Sequence, residues 1–304
     1  MKHFSQSLIS VALVLTATAV SAQTWTPLSA GGKLRSIEVL KSSVFAIPPA
    51  LLAKGGNLRV LLVGAGEGGY ASSAKCDEQA IQGGKGGDGG EAFEMDIPLA
   101  PGQCSAGLTI GVGERGRGAL RGGNGSALGE SGGQTTVSCA GQVVALALGG
   151  GRRPDAVTAP RAAKGGAGGA ILNTLESISN ETFDQRSMNV VTGGEGQTGL
   201  FGYGSGGGGG GVSLSTSGVS VRMDGGATRR AVLRNAPLGK GGYGAGAGAG
   251  AAGFAGDAST YPAENAIQYG AGGGGGFSSC GANGALSREA GHGASGLVKL
   301  SWTE

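Results

Sequence analysis

Glycine makes up 69 of the 304 residues, 14% of residues are charged, and the formal net charge is only +3. Charge this sparse excludes the highly charged, weakly hydrophobic kind of disordered chain. So small a net charge also excludes a nucleic-acid binder that works by electrostatics.

The chain opens on a predicted secretory signal peptide over residues 1–22. Met1-Lys2-His3 is basic, Leu8–Val20 is apolar, and Val20-Ser21-Ala22 supplies small residues for cleavage before Gln23. The apolar run is too short to span a bilayer as a helix, and no later stretch approaches the about 20 apolar residues a transmembrane segment needs. The expected location is therefore the periplasm, the cell surface or the medium.

Residues 23–43 are read as a lead-in segment and residues 44–304 as one glycine-rich domain. Ser36–Leu40 and Val44–Ile47 are short strand candidates, the second ended by Pro48-Pro49. Leu58–Val63 is a near-continuous apolar run, which predicts a strand buried on both faces. Phe93, Met95 and Ile97 alternate with Glu94 and Asp96, and Leu108, Ile110 and Val112 alternate after the Pro98–Gly102 turn; together they predict a hairpin over 92–112. Further hairpins are predicted at Thr135–Leu148, around Ala140-Gly141, and at Val212–Met223, with a closing strand at Leu297–Trp302. Residues 170–191 form a long insert without glycine, readable as a helix or as an inserted hairpin.

Glycine blocks separate these elements. Gly206–Gly211 is unbroken, Gly272–Gly276 repeats the theme, and Gly244–Gly253 alternates glycine with alanine. No strict Gly-X-Y period runs through them, which excludes collagen. Polyproline II geometry has three residues per turn and points every N–H and C=O outward. Several such helices side by side can satisfy one another's backbone, and only glycine lets the axes approach closely enough. The expected fold is mainly β: short antiparallel strands and hairpins framing packed polyglycine II helices. Flexible glycine linkers are the competing expectation.

Cys76, Cys104, Cys139 and Cys280 follow the signal peptide, and an even number in an exported chain predicts two disulfides. Similar local contexts pair Cys76 with Cys280, and nearby turns pair Cys104 with Cys139. No CxxC spacing occurs and His292 is the one histidine beyond the signal peptide, so no metal site and no cofactor is expected.

Three motifs imitate catalytic or metal-binding signatures. Gly64–Gly69 fits GxGxxG after a strand, but no helix-forming stretch follows it. Gly129–Gly133 fits GxSxG around Ser131, with Asp155, Asp184, Asp224 or Asp257 and His292 in hydrolase order, but Asn124–Leu128 is a poor strand for a nucleophile elbow. Gly83–Asp88 resembles a single calcium nonapeptide without the apolar residue that should follow Asp88. All three are read as glycine structure. The basic clusters Arg152-Arg153 and Arg229-Arg230 with Arg234 are read as solvated loops, with anionic glycan or lipid as the alternative.

Phe45–Pro49 followed by Leu58–Val63 and Gly64–Gly69, then Gly89–Phe93, Ala100–Gln103, Leu108–Gly113 and the closing Gly293–Leu300, form a recurring pattern of turn, strand and glycine block. The chain resembles the glycine-rich domain family of secreted bacterial surface proteins and phage tail-fibre adhesins, and also the glycine-rich domain of anaplastic lymphoma kinase receptors. The resemblance covers about residues 44–302 and implies a β-framework carrying a polyglycine II bundle. It implies adhesion or receptor binding for some members and no shared enzyme activity. The four cysteines and the 170–191 insert depart from the common pattern.

The reading is an exported, non-enzymatic surface protein that adheres to a cell-surface glycan or protein receptor. Aromatic residues in glycine loops are the candidate contacts: Phe201, Tyr203, Tyr243, Phe254, Tyr261 and Tyr269. The same rings could instead cap the glycine bundle against water. A self-associating structural component of the envelope or matrix is the alternative, and a secreted hydrolase the third reading.

Overall fold

The computed structural model describes residues 32–71, 80–120, 127–151, 162–165, 167, 170–172, 189–191, 195–210, 212–216, 219–223, 262–281, 284–287 and 289–304. The predicted signal peptide, Cys76, Tyr243, Phe254, Tyr261 and the middle of the 170–191 insert lie outside the described residues.

Two antiparallel sheets face each other over the main core. The first holds β1 (Leu34–Val39), β3 (Gly56–Val63), β5 (Ala92–Leu99) and β15 (Leu297–Thr303) in the order β1-β15-β3-β5. The second holds β2 (Ser43–Phe45), β6 (Leu108–Gly111), β7 (Thr135–Cys139) and β8 (Gln142–Ala147) in the order β2-β6-β7-β8. Leu58, Val60, Leu62 and Leu300 from the first sheet meet Leu108, Ile110 and Val137 from the second, all essentially without solvent contact. The strand at Ser36–Leu40 within the lead-in thus enters the main sheet, one to two residues earlier than the pattern placed it.

β3 is buried on both faces, as its apolar run predicts. Leu58, Val60 and Leu62 point into the sandwich, while Leu61 and Val63 form a second cluster on the outer face. Arg59, on that outer face, is held by Asp96 opposite it, N to O 3.0 Å. Ahead of β3 runs a short helix, α1 (Pro49–Lys54), which the sequence pattern missed. Pro49 suits its first turn, where the absent N–H has no intrahelical role, Leu51 anchors it in the core, and Gly55 (φ 74°) ends it.

The 92–112 hairpin is corrected. β5 pairs along its whole length with β3, whereas β6 pairs with β2 and β7 in the other sheet. The turn between them spans residues 100–107, long enough to step across the core instead of folding back. It lets Ile97 and Leu99 face Leu108 and Ile110 from opposite walls. Cys104 in that turn is bonded to Cys139 at the end of β7, Cα to Cα 5.4 Å. The 135–148 hairpin is β7–β8, turning on Ala140 and Gly141, both at positive φ.

Two smaller sheets complete the described strands. One has the order β10 (Asn189–Val191), β9 (Ala170–Leu172), β4 (Ala80–Gln82). The antiparallel pairing of β9 with β10 makes the ends of the 170–191 insert the arms of a hairpin, not a helix. The other has the order β12 (Val219–Met223), β11 (Val212–Thr216), β13 (Ser278–Gly281), β14 (Gly284–Ser287), with β11 and β13 parallel. β11–β12 is the third predicted hairpin.

Glycine fills the space between the sandwich and these smaller sheets. Along residues 64–71 the N–H donors take three neighbours in strict rotation. Gly64, Glu67 and Tyr70 donate to the carbonyls of Glu91, Asp88 and Lys85; Ala65, Gly68 and Ala71 donate to Gly133, Glu130 and Ala127; Gly66 and Gly69 donate to Ala294 and Gly291, all at 2.8–3.0 Å. Three residues per turn with every donor engaged sideways is polyglycine II geometry. The carbonyls of the same segment accept from residues 116 and 119, 150, and 273 and 276, so six neighbours surround it. Segments 84–91 and 271–276 repeat the rule: Gly84, Gly87 and Gly90 donate to Gly276, Gly273 and Gly270. A Cβ on Gly64, Gly66, Gly68 or Gly69 would overlap a neighbour's carbonyl oxygen, which is why these positions tolerate only glycine. The packed bundle is therefore the arrangement of these glycine blocks, and the linker reading does not apply to them.

Candidate functional site

Where the bundle meets the first sheet, the outer face of that sheet would leave Leu61, Val63, Ala92 and Leu297 open to water. Tyr203 and Tyr269 pack over them. Both tyrosines arrive on loops leading into glycine helices. Residues 200–203 precede the 204–210 segment, and residues 267–270 precede 271–276. Gly204 N–H donates to Tyr269 O at 3.1 Å, and the Gln268 side-chain amide donates to Gly202 O. Gly270 (φ 74°) brings the second loop against β3, where any side chain would strike Val63. Three of the predicted contact residues, Phe201, Tyr203 and Tyr269, thus share one shoulder of the molecule. Tyr203 and Tyr269 are half-buried and act first as a cover for the sheet.

Phe201 does the opposite. It sits inside a 3₁₀ turn, Leu200–Gly202, closed by Tyr203 N–H donating to Leu200 O at 2.8 Å. Its backbone lies at φ 53°, ψ 18°, the left-handed region that costs a non-glycine residue about 1–2 kcal/mol. The residue is 54% exposed. Leu200 beside it and Ile267 on the neighbouring loop are also exposed, Ile267 at 86%. A strained turn that holds an aromatic ring in water, next to two more bare apolar side chains, is the pattern of a contact surface. Leu200 and Ile267 were missed from sequence. The signal was available: each is an apolar residue one or two places before an aromatic at the mouth of a glycine block.

A polar cluster lies inside the bundle and gathers residues from two of the imitated motifs, Gly64–Gly69 and Gly83–Asp88. Glu67 is 2% exposed, the one long acidic side chain of the central glycine helix. Its carboxylate accepts from Tyr70 Oη at 2.6 Å and from Asp88 N–H at 2.9 Å. Burial pushes its pKa up from the usual carboxylate range, and these two hydrogen bonds oppose the shift only in part. Asp88 accepts from Lys85 Nζ and from Gly165 N–H, both at 2.9 Å, and Lys85 lies 5.3 Å from the Tyr70 ring centre. These contacts tie the 64–71 and 84–91 helices together through side chains.

The geometry also settles what the motifs build. The GxGxxG segment continues as polyglycine II, not as a helix offering its N-terminus to a phosphate. The GxSxG segment does the same: Gly133, Glu130 and Ala127 accept in a three-residue rhythm, so Ser131 stands on a glycine helix and not on a strand-to-helix elbow. Ser131 is exposed near Gly151. His292 is committed elsewhere: its Nδ1 accepts Gly118 N–H at 2.8 Å, which places the ring proton on Nε2. The aspartates of the hydrolase order lie outside the described residues.

A family model described as a glycine-rich domain matches residues 43–303. The chain belongs to the glycine-rich domain family. The matched span begins at β2 and ends in β15, so this glycine-rich domain takes in every described strand except β1, and the whole described bundle. A search of curated proteins found no match.

Proposed function

We propose that this glycine-rich domain is an exported, non-catalytic recognition module that attaches to a cell-surface glycan or protein through its shoulder. The observation that carries the reading is Phe201, held exposed by a left-handed turn beside Leu200 and Ile267. The bundle supplies the rigidity. Backbone bonds from many segments fix the two loops, so binding need not order them first, and the entropic cost of association is small. The fold places no strand-to-helix elbow at Ser131, which favours binding over hydrolysis.

The test is a titration of fluorescently labelled mature protein on a glycan array and on intact bacterial and epithelial cells. Truncating an aromatic anchor that becomes buried on binding costs about 1.5–3 kcal/mol, so Phe201→Ala and Ile267→Ala should each weaken binding by tenfold or more. Both residues are exposed, so the melting temperature should hold. Binding that survives the double variant unchanged, or no binding on any surface, would refute the proposal.

A further inference from the structure

We infer that the outer edge of β1 is an interface between two copies of this chain. β1 is an edge strand of the first sheet with no neighbour on its outer side among the described residues, and five of its six residues are exposed. The hydrogen-bond phase says which backbone groups face outward. Lys33 and Glu304 exchange both of their backbone bonds, at 2.8 and 3.1 Å. Residues 33, 35, 37 and 39 therefore point their N–H and C=O groups at β15, and Leu34, Ser36 and Glu38 point theirs away.

Edge strands are usually blunted by lysine, proline, a bulge or an inward charge. This edge has no proline or bulge; its lysines, Lys33 and Lys41, stand just beyond its two ends, and Arg35 lies on the face of buried Val39. Its two charges are drawn back onto its own sheet: Arg35 pairs with Glu304 at 3.1 Å and Glu38 with Lys299 at 3.9 Å. What remains on the edge is Leu34, Ile37 and Leu40, all exposed, Ile37 at 43%.

The strand is complementary to itself in one register. A two-fold axis normal to the sheet can pass through Ile37, setting it opposite Ile37 of the second copy. Ser36 then faces Glu38 of the second copy, and Leu34 faces its Leu40. Every outward backbone group of β1 meets an outward group, every exposed apolar residue meets an apolar one, and like charges meet only beyond the strand ends, where Lys33 faces Lys41 of the second copy. Shifting the axis to Ser36 puts Leu34 against Glu38 and Ile37 against Arg35, which loses this match. The joined sheet has eight strands, within the usual range for an open sheet. A dimer through β1 presents two shoulders at once. The edge argument itself does not depend on the recognition reading.

Sedimentation velocity of the mature protein from about 1 to 100 μM tests the proposal. The wild type should be a dimer at the upper concentrations. Ser36→Pro removes an N–H that points away from β15 and has no partner among the described residues, and Ile37→Lys places like charges across the axis. Both should sediment as monomers with the wild-type melting temperature. Ile37 and its mate would form a non-hydrogen-bonded pair with Cα atoms about 4.5 Å apart, so Ile37→Cys should cross-link two chains under mild oxidation. Arg35→Cys, facing Val39 of the second copy, should not. A wild type that stays monomeric at 100 μM, a dimer that persists in both edge variants, or an uncross-linked Cys variant at position 37 would overturn the inference. Phe201→Ala should leave the dimer intact, so the shoulder and the edge can fail separately.

Discussion

Replacing Gly66 by alanine tests the packing of the bundle directly. An alanine Cβ there would stand 1.9 Å from the carbonyl oxygen of Ala271 and 2.4 Å from its carbon. Relief to an ordinary contact requires the 64–71 and 271–276 segments to separate by about 1.5 Å, which carries bonds of 2.8–3.0 Å well past the hydrogen-bond limit of about 3.2 Å. Gly273 N–H to Glu67 O bridges these two segments, and Gly66 N–H to Ala294 O and Gly116 N–H to Gly66 O meet at the substituted residue. Two or three buried bonds left unmade, at about 1–3 kcal/mol each, give a loss of about 3–6 kcal/mol. Against a total stability of about 5–15 kcal/mol, that lowers the melting temperature by about 10–20 °C. Calorimetry of the mature protein measures it, with Ser131→Ala as control, since that exposed position already carries a Cβ. A Gly66→Ala melting temperature within about 2 °C of wild type would mean the glycine helices are not closely packed, and the reasoning would fall.

Further outcomes follow from other parts of the structure. Removing the Cys104–Cys139 bond with a double alanine variant opens a 35-residue loop and should cost about 4 kcal/mol in chemical denaturation, on the loop-entropy estimate; a change under about 1 kcal/mol would contradict it. Glu67 has a folded pKa raised above its ordinary 4.5 by burial, so its ionised form works against folding at neutral pH. That cost disappears as pH falls through the raised value toward 4.5, and below both values the group adds no further slope. Glu67→Gln, whose amide can still accept from Asp88 N–H and donate to Tyr70 Oη, should match or exceed wild-type stability at pH 7 and flatten the melting-temperature profile over that window. A variant less stable at pH 7, with an unchanged profile, would show that the carboxylate is held favourably charged. Trypsin under native, non-reducing conditions should spare Lys85, Arg115 and Arg117, because the glycines around them are bonded to neighbouring segments; rapid cutting at these sites would show that the segments open locally.

Much of the β framework was legible in the sequence because side chains carry its pattern. The apolar run of β3 announced burial on both faces, and alternation marked β5, β6 and β15. The Ala140-Gly141 turn marked the β7–β8 hairpin, and residue spacing fixed which side of each strand faces in. The pairing of strands was less legible. β5 and β6 are neighbours in the chain and look like one hairpin, yet they belong to opposite sheets, because only the assembled core decides which wall each apolar face must fill. Of the shoulder, the aromatics Phe201, Tyr203 and Tyr269 could be named from their place in glycine loops. Their different roles, one ring exposed and two covering Leu61 and Val63, depend on β3 lying beneath them.

Glycine marks the limit between the two kinds of information. Its abundance in the chain determined that the blocks had to be packed polyglycine helices or loose linkers, while the missing Gly-X-Y period excluded collagen and the sparse charge excluded highly charged disorder. Which helix lies against which was decided only in three dimensions. Glycine has no side chain to encode a partner, so Gly64, Gly66 and Gly68 look alike in the sequence although they donate to residues 91, 294 and 130. The anchoring strands fix where each segment enters the bundle, and the three-residue rotation of backbone donors then selects its neighbours.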